Sequence, residues 1–257
     1  MTKHVMLNNI AHKDLRVITR HSAEYGENVG TVLTFPTEFG DVLREYPIFF
    51  RKDPQTDEYQ SIALLGFAKD ENLFLDENGW NASYVPGIIA RGPFLIGRGP
   101  TANDGGEAGE EMTIHVDMDD PRISRTEGEP VFLPQGGNTH YLERIASILN
   151  GLHQGIGVSK RMFAAFAEYD LIEPVNVEIK LNNEEKYSLL GLHTISEEKL
   201  QKLDADALLK LHRAGFLQGA YLVLASLTNV KRLIDLKQQR LLKAGAPPVT
   251  PPPVAGG

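Results

Sequence analysis

Strict alternation of apolar and polar positions marks two stretches of this chain as strands buried on one face. In residues 112–118, Met112, Ile114, Val116 and Met118 fall on one side and Thr113, His115 and Asp117 on the other. In residues 174–181, Val175, Val177, Ile179 and Leu181 alternate with Asn176, Glu178 and Lys180. The pair Asn182-Asn183 then predicts a turn, and residues 186–194 the returning hairpin strand. Shorter apolar and aromatic runs predict strands at 31–35, 47–51, 59–67, 71–75 and 92–97. A turn-rich loop joins the second of these to the third, and Asn78-Gly79 reads as a further turn. Residues 1–30 are expected to form an irregular arm with one short strand.

A helical period appears next. Leu142, Ile145, Ile148, Leu149 and Leu152 recur at three- and four-residue spacing behind a cap at Asn138 or Thr139. Gly151, Gly155 and Gly157 predict that this helix ends near residue 152, with Ser159 capping a second one to Tyr169. Further helices are expected as a turn at 37–45 capped by Thr37, a short helix at 196–203, one from Asp204 or Asp206 to Gly215, and a long amphipathic one over 216–242. The polar, glycine-rich segment 99–111 predicts a surface loop, and the proline-rich, uncharged residues 244–257 a disordered tail. Strands cluster early and helices late, the pattern of an α+β fold. The expected organisation is a β-rich region at 1–135 packed with a region of helices and a hairpin at 136–243, around a shared core.

Residues 45–98 carry the only tryptophan, Trp80, with Tyr46, Phe49, Phe50, Tyr59, Phe67, Phe74, Tyr84 and Phe94. Large rigid rings bury much apolar area each, so the core is expected here, with Trp80 at its centre. The same group offers a pocket. Tyr46, Trp80, Tyr84 and Arg91 have the mixture of apolar surface and a few placed polar groups that small-molecule sites use. Ordinary core packing accounts for the same residues.

Charge and composition narrow the chemistry. The net charge of −8 gives no basic field for nucleic acid or anionic lipid. With no cysteine, disulfides, thiolate catalysis and iron–sulfur clusters are excluded, and a cytoplasmic location is expected. The longest uncharged run, 214–230, is broken by Gln218, Ser226, Thr228 and Asn229, so no membrane span is expected. His115 and Asp117 put an imidazole and a carboxylate on one strand face, two parts of a 2-His-1-carboxylate iron site, with His140, His153 or His193 as third ligand. Such a pair also arises by chance on a solvated strand face. Neither a nucleophile elbow nor a phosphate-binding glycine fingerprint occurs, so no catalytic residue is assigned.

Three groups of residues carry a family resemblance. The first is Tyr46-Pro47-Ile48-Phe49-Phe50. The second is Gly66-Phe67, Glu71-Asn72-Leu73-Phe74, Trp80, Tyr84-Val85-Pro86 and Arg91-Gly92-Pro93-Phe94. The third is Gly191-Leu192-His193-Thr194-Ile195 with Leu200, Leu211, Gly215 and Ala225-Ser226-Leu227. In combination they resemble the SapC-like proteins of Gram-negative bacteria, over roughly residues 5–240. This is the surface-array family, distinct from the polytopic peptide-transporter permease of the same name. The resemblance implies a soluble accessory or binding protein recognising a small molecule or a protein partner, and it leaves the cofactor unspecified. A metal-dependent, non-haem iron oxygenase built on His115 and Asp117 is the alternative.

Overall fold

The computed structural model describes residues 3–100, 110–181 and 186–245. In chain order the elements begin with β1 (His4–Met6), β2 (Arg16–Val17), β3 (Thr31–Leu33), α1 (Phe39–Val42), β4 (Ile48–Lys52) and β5 (Tyr59–Leu64). They continue with β6 (Leu75–Asp76), β7 (Gly79–Trp80), α2 (Gly87–Ala90), β8 (Phe94–Pro100), β9 (Glu110–Asp117), β10 (Ile123–Ser124) and β11 (Glu129–Pro130). The remainder is α3 (His140–Glu168), β12 (Ile172–Lys180), β13 (Lys186–Ile195), α4 (Glu197–Gln201), α5 (Ala205–Arg213), α6 (Phe216–Ser226) and α7 (Asn229–Gly245). The fold is α+β, with β-rich sheets early and helices late.

An antiparallel five-stranded sheet, ordered β12-β13-β4-β5-β3, forms the centre. It draws strands from both sides of residue 135. Ile48, Phe49 and Phe50 are all buried along β4. Successive strand residues point to opposite faces, so this sheet is covered on both. Phe50 meets Phe163 and Phe166 of α3 at ring distances of 5.0 and 6.3 Å. Ser226, fully buried at the end of α6, accepts the Ile48 amide at 2.8 Å and donates to the Val223 carbonyl.

A second core lies where the sheets β1-β9-β8 and β10-β2-β11 meet the first half of α3. Leu142, Ile145 and Leu149 pack there with Phe94, Val116 and Val17. Met162, Phe163 and Phe166, further along the same helix, belong to the first core. At 29 residues, α3 is about 43 Å long from the usual rise per residue, and it spans both cores.

Several elements depart from the sequence pattern. One helix replaces the expected two: α3 runs unbroken through Gly151, Gly155, Gly157 and Ser159, capped by Thr139 as expected. Its apolar stripe continues across the glycines, and packing outweighs their poor propensity. The long helix at 216–242 is instead two, α6 and α7, parted at Leu227-Thr228. Asn229 opens the second and donates to the Leu43 carbonyl at 2.5 Å. Thr37 does not cap α1; Glu38 holds that position, and Thr37 donates to the Gly151 carbonyl of α3. Residues 71–74 are not a strand. Asn72 is fully buried and bonds backbone groups of Glu27 and Phe74, while Arg240 of α7 grips the carbonyls of Asn72 and Leu75. The expected loop at 99–111 is narrower, because β8 and β9 pair through Gly99↔Glu111 and Pro100↔Glu110; its centre lies outside the described residues. Asn182-Asn183 and most of the expected tail, from residue 246, also lie outside them.

Trp80 is at the margin of the core rather than its centre. Its ring is half-buried and its Nε1 donates to the Tyr46 hydroxyl at 2.8 Å. Tyr46, Phe49, Phe50 and Phe74 occupy the interior.

Candidate functional site

The turn after β3 places Phe35 against α3, and Gly155 permits the approach. A Cβ at Gly155 would sit 2.6 Å from the Phe35 Cβ, closer than any packed pair tolerates. Beside this contact a cleft of about 730 Å³ opens along α3. Leu149, Leu152, His153 and Ile156 form its helical side. Leu95, Ile96, Gly97 and Met112 come from β8 and β9, and Ile88 and Arg91 from α2 and its C-cap. The lining is overwhelmingly apolar, and Ile156 and Met112 are about half exposed there. A second lobe of about 440 Å³ shares Phe35 and Ile156 as walls with the first, and is lined further by Tyr59, Ser61, Ser159, Lys160 and Phe163. Ser61 is buried in it with its hydroxyl lacking any partner among the described residues.

Arg91 is the cation of the first lobe. Its Nη1 donates to the Phe94 carbonyl at 2.6 Å, while Nε is buried with no acceptor. Burial pushes the guanidinium below its ordinary value, the neighbouring Arg122 charge adds to this, and Asp120 opposes it. Asp120 is not free to pair with Arg91. Arg122 engages it through Nε to Oδ1 at 2.9 Å and Nη2 to Oδ2 at 2.7 Å. Burial works against the Asp120 carboxylate, but this fork and the Arg122 amide hold its carboxyl below the usual range.

The walls of the cleft are held by Glu38, which is only 8% exposed. Oε1 accepts from the Thr34 hydroxyl at 2.8 Å and the Phe35 amide at 3.3 Å. Oε2 accepts from the Tyr84 hydroxyl at 2.6 Å and the Gly87 amide at 2.9 Å. One carboxylate thus fixes both Phe35 and the start of α2. From Tyr84 the bonding continues inward: the Tyr46 hydroxyl donates to the Tyr84 carbonyl, and Trp80 donates to Tyr46. Burial raises both tyrosines above their ordinary value, reinforced at Tyr84 by the charge of Glu38 and resisted at Tyr46 by the Trp80 N–H.

The four residues expected to bind ligand therefore divide. Tyr46, Trp80 and Tyr84 share one hydrogen-bonded chain, with Tyr46 fully buried, and Arg91 alone lines the cleft. Trp80→Ala is expected to cost about 2 kcal/mol, below the roughly 3–5 kcal/mol of a fully buried ring, because the side chain is half-buried. Urea unfolding followed by circular dichroism measures it. A cost above about 4 kcal/mol would return Trp80 to the centre of the core.

His115 and Asp117 do share a face of β9, as expected. The His115 ring lies against Gly97 and within 3.1 Å of the Thr113 hydroxyl, and Asp117 accepts the Asp119 amide. His4 is 3.6 Å from the other Asp117 oxygen. His140 is fully exposed beside Glu143, His193 packs its ring on Tyr59 in the central sheet, and His153 stands at the cleft. Among the described residues, no group of three or more histidine, aspartate or glutamate side chains is placed to hold a metal ion.

The sequence pattern does not reveal Glu38, Phe35 or the cleft along α3. The one available signal was the apolar stripe of α3, which continues through Leu152, Ile156 and Phe163 past the glycines. No described helix is long and apolar enough to cross a membrane. A family model described as SapC matches residues 7–233. No curated protein and no solved structure matches the chain.

Proposed function

This chain belongs to the SapC family, and from that premise we propose that it is a non-catalytic binding or accessory protein that takes a small, largely apolar molecule into the α3 cleft. The observation that carries this reading is the cleft itself. About 730 Å³ is within the range of small-molecule sites, and an apolar lining with one placed cation is their usual composition. It lies between elements that Glu38 ties together, so it is formed before any ligand arrives.

A thermal-shift screen of amino acids, indoles, flavins, sugars and aliphatic acids tests the reading. A ligand that binds only the folded chain stabilises it by about 2.7 kcal/mol at a hundredfold excess over its Kd, which raises Tm by several degrees. Ile156→Trp should fill the junction of the two lobes and abolish the shift. A screen with no shift, or shifts that survive Ile156→Trp, counts against the cleft. The alternative is a metal-dependent oxygenase on His115 and Asp117. About one equivalent of iron or manganese in protein purified without chelator, lost on His115→Ala, would favour it instead.

A further inference from the structure

We propose that the ligand of the α3 cleft is an amphipathic carboxylate, with its acid group on Arg91 and its apolar body along α3; this rests on reading the cleft as a binding site. Three observations converge. First, Arg91 has no carboxylate in contact among the described residues: Asp120, whose charge it feels, is held at both oxygens by Arg122. A half-buried guanidinium whose Nε is withdrawn from water without an acceptor is an unfavourable arrangement, and such cations are normally paired. Second, one edge of the fork has no acceptor among the described residues. Nη1 is fixed on the Phe94 carbonyl, so Nε and Nη2 remain, the pair that grips a carboxylate through two parallel hydrogen bonds. Holding Nη1 also fixes the plane of the fork, so little orientational freedom is lost on binding.

Third, the surface leading away from Arg91 is apolar. Leu149, Leu152 and Ile156 follow one another at helical spacing, and Leu95 faces them from β8. An alkyl or aryl chain laid there removes apolar area from water on both sides, which is the favourable term. A single guanidinium suits a monovalent anion. Phosphate esters and nucleotides call for several donors or cations together, and the described lining supplies Arg91 with only the exposed His153 at the rim. A polar sugar or a free amino acid would leave the aliphatic wall unused.

The probes are dodecanoate, dodecan-1-ol and dodecyltrimethylammonium, which share one chain and differ in the head. Their binding is measured by calorimetry on the full chain and on Arg91→Met, Arg91→Lys and Ile156→Trp. Dodecanoate should bind at least tenfold more tightly than the alcohol, and the ammonium more weakly than either. Arg91→Met should erase the preference for the acid while keeping the alcohol. Arg91→Lys, which keeps the charge but not the fork, should retain part of it, and serves if the methionine variant fails to fold. Equal binding of acid and alcohol, abolished by Ile156→Trp, would overturn the carboxylate while leaving the cleft as a site, one suited to a neutral apolar ligand or segment. A preference for the acid that survives Arg91→Met would equally overturn it. Binding of none of the three probes removes the carboxylate, and with no response from the wider panel the cleft reading falls as well.

Discussion

Glu38→Ala will cost about 4 kcal/mol of unfolding free energy, a large share of the roughly 5–15 kcal/mol by which a domain is stable. Four donors converge on this carboxylate: the Thr34 and Tyr84 hydroxyls and the Phe35 and Gly87 amides. Hydrogen bonds to a charged group contribute about 1.5–3 kcal/mol each, but they are not additive, and water will recover some of them in the variant. Glu38→Gln tests the electronic requirement. The amide offers one oxygen and one NH₂; the hydroxyl on the NH₂ side can turn to accept from it, but the backbone N–H there faces another donor, and about half the loss is expected. Chemical denaturation checks both, and a loss below about 1 kcal/mol for Glu38→Ala would mean that these bonds are exchanged for water without consequence. The alanine variant should also lose ligand affinity, because Phe35 and Ile88 line the cleft and both are positioned through Glu38.

Glu38 shows why part of the site was hidden in the sequence. At 37–45 it reads as one acid in a short helical turn, and nothing local distinguishes it from Asp41 nearby. Its partners come from residues 34, 35, 84 and 87, and only the tertiary fold assembles them. Arg91 was legible as a charged residue among aromatics. That it lines the cleft while Tyr46 and Trp80 do not depends on how the helical turn at 87–90 packs on α3, which no periodicity encodes. His115 and Asp117 were correctly placed on one strand face, because a period of two needs only local information.

The same distinction runs through the fold. The β4–β5 and β12–β13 pairings were legible because each joins two strands that follow one another in the chain. Pairing of β13 with β4 was not, since His193↔Phe50 joins residues far apart in the chain. The break between α6 and α7 falls inside a continuing apolar pattern. It is placed by Ser226 and Asn229, whose side chains satisfy backbone groups of the 43–48 segment. A polar residue on a buried helix face was the only clue, and it pointed to no partner.

On propensity the glycines of α3 predict a helix end, and they supply the sharpest test of what propensity omits. Gly151 and Gly157 have open space where a Cβ would go. For each, alanine should stabilise the protein by about 0.5–1 kcal/mol, the usual difference between the two residues inside a helix. At Gly155 the sign reverses. A Cβ there meets the Phe35 Cβ at 2.6 Å and Cγ at 2.9 Å, and the Thr37 Oγ1 at 2.9 Å. Phe35 cannot retreat freely, because its amide is held by Glu38, and Thr37 is bonded to the Gly151 carbonyl. Gly155→Val should therefore destabilise by about 3 kcal/mol, the upper part of the range for overpacking a filled site. It should also weaken any cleft ligand, since Phe35 forms a wall of both lobes. Thermal melts of Gly151→Ala, Gly157→Ala and Gly155→Val, made side by side, decide the matter. If all three move in the same direction, Gly155 is an ordinary helical glycine and the close approach of Phe35 is not what keeps α3 continuous with the groove it floors.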